Sequence, residues 1–198
     1  MLIILFNHDA YPTFALALQK TIFTVTATAS STGFTNADYI PWNPLSHFVI
    51  ILLMVMGGMS GSTAGGMKCI RLVAAFKLLK KEVLQVVHPH AALTVKSNDR
   101  IVRAEVANAI WGFLFIYLLS FTILGGILAF EGLDLVSAST ATFSALSNIG
   151  PALGSFGPFD NFADISDLSK LSLSAGMIIG RLEFFTVIVV FTIAFWRK

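Results

Sequence analysis

Two stretches of the chain run through small hydroxyl and alanine side chains into a glycine, and both could use backbone rather than side-chain chemistry. Leu18–Gly33 reads LQKTIFTVTATASSTG and Leu135–Gly150 reads LVSASTATFSALSNIG. A polar helix that ends in glycine can turn the next carbonyls toward one axis, because glycine reaches backbone angles closed to other residues. Carbonyls gathered in this way replace the hydration shell of an alkali cation such as potassium. The residues placed to do so are Ser31, Thr32, Gly33 and Phe34 in one stretch, and Asn148, Ile149, Gly150 and Pro151 in the other, with Thr35 and Ala152 next in line. For either stretch alone, a glycine that merely closes a helix is explanation enough. Their recurrence after a shift of 117 residues, the distance from Gly33 to Gly150, favours the cation-coordinating reading.

A third glycine segment has a different setting. Tyr39–Met67 contains no Asp, Glu, Lys or Arg in 29 residues. Pro44–Met56 has the makings of a helix, but Gly57–Gly66 carries five glycines in ten residues. Each glycine costs a helix about 1 kcal/mol against alanine. The apolar pattern resumes from Met67 to Leu79, so this reads as one span broken in its middle. Arg181 lies inside another long apolar segment, Lys170–Trp196, and the 117-residue shift puts it level with position 64 in the glycine run. An arginine at membrane depth is rare and costly and usually faces a cavity. The plainer alternative is an ion pair. Glu183, two residues on, does not share its helix face, and would itself pair with another helix, for instance at Lys68 or Arg71.

Other chemistries find little support. GGMSGSTAGGMK has the look of a phosphate-binding loop, but Cys69 follows Lys68 where Ser or Thr is required, and the flanks are apolar helices rather than a strand and a helix. The histidines are His8, His47, His88 and His90; only the last two are close, around Pro89, with no Cys or carboxylate at ligand spacing. Cys69 is the only cysteine, which excludes an internal disulfide and reads as a packed small residue. No nucleophile–base set or carboxylate pair points to an enzyme, and a net charge of +2 gives no field for nucleic acid.

The elements that must position these residues are membrane spans. Of 198 residues 56% are hydrophobic and 12% charged, and the mean hydropathy is +0.79. A soluble domain carries about 25% charged residues, so an ordinary soluble protein is excluded, and so is a disordered chain. Val106–Phe130 is 25 residues without a charge and reads as a transmembrane helix. Thr21–Ala37 and Leu135–Phe159 are uncharged and rich in Ser, Thr, Gly and Ala, each reading as a short helix followed by irregular chain. Such backbone survives at membrane depth only when buried in protein or lining a watery cavity, which makes both re-entrant loops. The repeating unit is therefore span, re-entrant helix, glycine loop, span; the copy before Gly33 has only the stub Met1–Phe6 as its first span. Gly125–Gly126 reads as a close-packing face, and Trp42, Trp111 and Trp196 as interfacial anchors.

Charge sets the orientation. Lys77–Glu105 holds Lys77, Lys80, Lys81, Lys96, Arg100 and Arg103 against Glu82, Asp99 and Glu105, and the chain ends Trp196-Arg197-Lys198. The positive-inside rule puts this loop and the C-terminus in the cytoplasm. The other connections carry Asp9, Asp38, Glu131, Asp134, Asp160, Asp164 and Asp167 and face outside. The basic loop would also meet anionic lipid or dock a cytoplasmic partner. Entering from outside, the two short helices aim their negative C-terminal ends at the membrane centre, which favours a cation there.

These residues resemble a known family. TATASSTGFTNADY, GGMSGSTAGGMKCIR, HPHAALTVKSNDR, SNIGPALGSFGP with NFADIS, and GRLEFFTVIVVFTIAFWRK, spread over nearly all of residues 18–198, resemble the C-terminal half of a TrkH-type potassium-uptake subunit of the Trk/Ktr/HKT superfamily. The resemblance implies an all-α membrane protein with two of four span–pore helix–span repeats: a third-repeat-like unit at 1–85, a cytoplasmic basic loop at 86–101 and a complete fourth-repeat-like unit at 102–198. It implies a potassium filter with one loop per repeat, here at Gly33 and Gly150, and potassium as the transported ion with no bound cofactor. It implies a gate made of Gly57, Gly58, Gly61, Ser62, Thr63, Gly65 and Gly66 with Arg181 pointing into the pore. Its partners would be the remaining repeats, a second copy in a homodimer, a cytoplasmic nucleotide-binding regulatory ring and the lipid of a bacterial inner membrane. Two filter loops cannot close a fourfold ring from one copy, so a longer chain or a separate one must supply the rest. The competing readings are an ion-coupled secondary transporter with broken helices around a midplane site, and a non-conducting fragment that needs the missing repeats.

Overall fold

In a computed structural model the chain is described at residues 10–59, 61–62, 64–88, 96–97, 100–101, 104–182, 184–190 and 192–196. Met1–Phe6, His8, Asp9, Thr63, Pro89, His90, Asp99, Arg103, Glu183, Arg197 and Lys198 lie outside the described residues. The helices are α1 (Phe14–Ala29), α2 (Pro44–Met56), α3 (Cys69–Val87), α4 (Ala104–Phe130), α5 (Leu135–Ser147), α6 (Asp167–Arg181), α7 (Phe184–Val190) and α8 (Ile193–Trp196). A single 3₁₀ turn, Gly154–Phe156, follows α5. The fold is all-helical as expected, with one short addition in the basic loop, where Lys96–Ser97 (β1) pairs antiparallel with Arg100–Ile101 (β2).

Local chemistry fixes the helix starts. Thr13, Asn43, Asp134 and Ser166 are N-caps whose side chains accept from Leu16, Leu45, Ser137 and Ser169 N–H, and Pro44 follows its cap at N1. An N-terminal proline gives up no helical hydrogen bond, because that N–H has no partner inside the helix. α2 ends where Gly57 turns to φ 62°. α4 runs from Ala104 to Phe130 without a break, although it contains Gly112, Gly125 and Gly126.

The last apolar segment is not one continuous span, as its hydropathy predicts, but three pieces: α6, α7 and α8. Leu182 closes α6 by donating to Ile178 O. Beyond it, seven of the eight residues 186–193 are β-branched, and such side chains lose rotamer freedom against the preceding helical turn. Thr192 then takes Val189 O with both its N–H and its hydroxyl, in i−3 rather than i−4 bonds.

Polarity runs opposite to that of a water-soluble core. Among the described residues one helix, Glu105–Phe130, is long and apolar enough to cross a membrane, and only 22% of its most apolar window is buried. Its Trp111, Phe115, Leu118, Leu119 and Ile123 side chains are exposed. The most enclosed helix is instead α5, where Ser137, Thr140, Thr142, Ser144 and Ser147 are all buried. An outside this apolar fits lipid, and a hydroxyl-lined inside fits backbone that must be satisfied away from water. α5 lies at the centre, against α2, α4 and α6. One apolar cluster (Ala37, Tyr39, Trp42, Ile50, Met54, Ile149, Leu153) joins the chain after α1 to the chain after α5. Another (Leu128, Ala138, Ala141, Ala145, Leu173) locks α5 to α4 and α6.

Two smaller expectations are corrected. Trp42 is 3% exposed and donates Nε1–H to Tyr11 Oη at 3.1 Å, so it is a core residue and not an anchor; Trp111 and Trp196 are exposed. Gly125 would meet Thr142 only at ordinary contact distance if it carried a β-carbon, and Gly126 faces open space. The tight helix crossing is at Gly180 of α6, where a β-carbon would overlap the carbonyl of Leu146.

The cap of α5 is testable. Asp134 accepts from Ser137 N at 3.1 Å, and its hydrogen bonds with Ser137, side chain first and then backbone, hold its carboxyl below the ordinary 3.8. A lowered folded-state value stabilises the protein above the unfolded pKa, and that contribution is lost as pH falls through the folded one. Asp134→Ala is expected to lose about 1 kcal/mol in thermal unfolding at pH 7. The difference from the parent should shrink below the ordinary carboxyl range.

Candidate functional site

The two glycine loops share a backbone signature. Ser31 and Asn148, 117 residues apart, both have φ 54°, and Gly33 and Gly150 have φ 72° and 110°. Left-handed conformations are rare outside glycine and asparagine, so the same alternation at both places marks a common turn. α1 and α5 end within one residue of the same position on that shift. After α1, Thr32 and Gly33 N–H both turn back to Ala27 O. After α5, Asn148 N–H reaches Ala145 O and Ile149 N–H reaches Ser144 O.

The loops meet. A β-carbon on Gly33 would overlap the Ile149 carbonyl oxygen and lie 3.4 Å from Pro151 Cδ. Thr35 Oγ1 donates to Pro158 O at 3.3 Å, and Tyr39 Oη donates to Ala152 O at 3.1 Å. Burial first, and then the charge of Asp38, raises the Tyr39 hydroxyl above its ordinary value, which keeps it a donor. Thr32, Phe34 and Gly150 are exposed among the described residues.

The hydroxyls of α5 hold the returning chain. Ser144 Oγ accepts Gly150 N–H at 3.0 Å, Thr140 Oγ1 accepts Leu153 N–H at 3.1 Å and Ser137 Oγ accepts Ser155 N–H at 2.9 Å. Residues 137, 140 and 144 share one helix face, so a ladder of side chains replaces the strand that irregular backbone lacks. Among the described residues the first loop has no such ladder. At the position matching Ser137 it has Lys20, whose ammonium donates to Asn36 O. Sequence reasoning missed this role, although the i, i+3, i+7 spacing of the hydroxyls carries the signal.

The glycine-rich segment sits directly against the end of α5. Cys69 N–H returns to Gly58 O at 3.1 Å, and Gly57 closes on Gly65 and Gly66, so the ends of α2 and α3 stay together while the loop bulges out. A β-carbon on Gly65 would lie 2.7 Å from Ser147 O and 3.1 Å from Asn148 Nδ2. Gly66 N–H donates to Leu146 O at 3.3 Å, and buried Ser147 donates its hydroxyl to Met54 O at 2.6 Å. Asn148 Nδ2 reaches across to Met177 O of α6 at 3.0 Å. Gly61 lies in open space.

Arg181 comes to this loop. With Ser62, Ala64, Gly66, Lys68, Arg71, Phe113 and Gly180 it lines a cavity of about 180 Å³. Its own side chain is exposed, and Arg71 stacks over Phe113 at 4.2 Å from the ring centroid. Of the expected residues, Gly33 meets Ile149 and Pro151, Gly65 and Gly66 meet Ser147, and Ser62, Gly66 and Arg181 line one cavity, whereas Gly61 meets nothing among the described residues. The coordinating loops touch each other, and the glycine run touches the second loop and Arg181.

A family model described as TrkH, cation transport protein, matches residues 11–197. The chain is 41% identical to the Trk system potassium uptake protein TrkH of Halomonas elongata over 91% of its own length and 37% of that protein. It is 33% identical to the Trk system potassium uptake protein TrkH of Escherichia coli K12 over 99% of its length and 40% of that protein. The crystal structure of the potassium transporter TrkH from Vibrio parahaemolyticus matches with a TM-score of 0.89 at 32% identity, over 99% of this chain and 42% of that one. The chain thus spans about two fifths of the relatives it matches.

The contact between the loops makes a stability test. Gly33→Ala combines a left-handed backbone with the Ile149 overlap and is expected to cost about 2 kcal/mol or more. Gly126→Ala, exposed in mid-helix, should gain about 1 kcal/mol. Thermal unfolding of the two variants in the same detergent measures both.

Proposed function

The chain belongs to the TrkH family of cation transport proteins, and from that premise we propose that it forms two of the repeated span–pore helix–span units around a potassium path in a bacterial inner membrane. One observation carries the reading: two glycine loops of matching backbone signature, each after a Ser/Thr-rich helix, meet at Gly33 and Ile149. In the proposal α1 and α5 are pore helices. Residues 1–85 and 102–198 are the two units, and the basic segment 86–101 is cytoplasmic together with the C-terminus.

Potassium crosses by exchanging water for the carbonyls of Ser31, Thr32, Gly33 and Phe34 and of Asn148, Ile149, Gly150 and Pro151. The negative C-terminal ends of α1 and α5 favour it there. The hydroxyl ladder of α5 supports this reading because it spends its donors on loop N–H groups, and a loop whose N–H groups are held in this way has its carbonyls available to an ion. Below the loops, the 57–66 segment with Arg181 closes the conduit. A guanidinium in a low-dielectric passage repels a cation over several ångströms. The segment is held at both ends, Gly58 O accepting from Cys69 N–H of α3 and Gly66 N–H donating to Leu146 O, so displacing α3 would shift it off the path. The partners are the remaining repeats, a second copy in a homodimer and a cytoplasmic nucleotide-binding ring that moves α3.

Potassium flux in proteoliposomes tests the reading. The chain combined with one supplying two more repeats should conduct, and the chain alone should not. In the conducting assembly Gly150→Ala should lower potassium-over-sodium selectivity about tenfold, equivalent to about 1.4 kcal/mol. Unchanged selectivity would remove Gly150 from the filter.

A further inference from the structure

We propose that the side chain of Asn148 is a positioning residue that ties the second coordinating loop to α6, so that the place of α6 sets potassium selectivity at that loop. The inference rests on the potassium-path reading above and assigns a control to the same loop. Its observation is a side-chain bond: Asn148 Nδ2–H donates to Met177 O of α6 at 3.0 Å. The path reading uses the main-chain carbonyl of Asn148, and the amide is a separate group. Left-handed backbone alone does not call for that amide. Asn148 stands at φ 54° and ψ 44° as the C-cap of α5, where asparagine is the usual alternative to glycine. Yet Ser31 holds the same φ of 54° in the first loop, and its buried hydroxyl has no hydrogen-bond partner among the described residues. The turn forms with either residue, so what asparagine adds at 148 is the reach of its amide.

The surroundings bring α6 within that reach. Gly176 and Gly180 lie one turn apart on the face of α6 toward α5. A β-carbon on Gly176 would lie 3.7 Å from Ala145 Cβ, and one on Gly180 would overlap Leu146 O. The glycine-rich segment comes to the same amide, since a β-carbon on Gly65 would lie 3.1 Å from Asn148 Nδ2. One side chain of the second loop therefore meets both α6 and that segment. The tie is also of a kind that can open. Asn148 is half-buried and Met177 is exposed, so water competes for the bond. A neutral hydrogen bond nets a factor of about five in an equilibrium, which a modest displacement can offset. The first loop is held within its own unit, by the Lys20 ammonium on Asn36 O and by the N–H groups of Thr32 and Gly33 on Ala27 O. A shift of α6 thus reaches the second loop through a side chain that has no counterpart at Ser31.

The test uses the assembled transporter carrying this chain. Potassium-over-sodium selectivity is read in proteoliposomes, and Tm is read in detergent. Asn148→Ser copies the residue of the first loop and is too short to reach Met177 O. Asn148→Asp keeps the shape and, when ionised, has no proton to donate. Each is expected to lower selectivity about fivefold. Ser174→Ala is the control, at an exposed position of α6 whose hydroxyl donates to Lys170 O of the same helix, and it should keep the parental selectivity. Gly180→Ala must move α6 away from Leu146 and should lower selectivity by itself; adding Asn148→Ser should then lower it no further. A merely structural contact would lower Tm and leave selectivity where it was, and that result overturns the proposal. So does a loss in Asn148→Ser without one in Asn148→Asp, and so do losses that multiply when Asn148→Ser is combined with Gly180→Ala. If Gly180→Ala does not assemble, the two Asn148 variants decide. Loss of selectivity in Gly150→Ala with none in either Asn148 variant overturns this inference alone and leaves the filter reading standing.

Discussion

Backbone that leaves the helix inside an apolar surrounding has no water to bond, and everything around it must be arranged to supply the missing partners. Among the described residues the chain leaves the helix for a loop that packs against the end of α5, or continues from it, at three places: after Ala29, after Met56 and after Ser147. The solutions differ. After Ser147 a row of hydroxyls on the preceding helix takes the N–H groups of residues 150, 153 and 155. After Ala29 a lysine ammonium and the carbonyl of Ala27 serve. After Met56 the loop bonds to its own ends and to Leu146. The small residues follow from the same constraint, because Gly33, Gly65 and Gly180 each lie where a side chain would strike another segment's backbone.

The consequence for function is that the three irregular segments form one connected unit. Gly33 rests on Ile149, Gly65 on Ser147, and Gly180 on Leu146, so three carbonyl-bearing positions within four residues at the end of α5 carry the first loop, the glycine-rich segment and the last interrupted span. One residue, Asn148, separates the position that meets the glycine-rich segment from the position that meets Gly33. That adjacency is where the fold and the proposed gating meet.

Much of this was legible in the residues, and the misses have physical reasons. α2 begins and ends where Pro44 and Gly57 say it should, because Asn43 and Pro44 are strong start signals and Gly57 is a strong stop. The two glycine loops were found by their recurrence, and Arg181 was put level with the glycine run by the same shift. The breaks in the last span were hidden because hydropathy measures apolar character and not continuity. The β-branched run that accompanies them is as apolar as any helix. Trp42 looked like an anchor because composition cannot distinguish a tryptophan at an interface from one whose N–H has found Tyr11. The crossing at Gly180 was missed in favour of Gly125–Gly126, since close approach depends on which face meets the neighbour.

The account rests on potassium lying between the two loops, and anomalous diffraction locates it most directly. Crystals of the assembled transporter carrying this chain, grown with rubidium or thallium in place of potassium, should show an anomalous peak bounded by the carbonyls of Ser31–Gly33 and Asn148–Gly150. Peaks elsewhere along the molecule, with none between these loops, would contradict it.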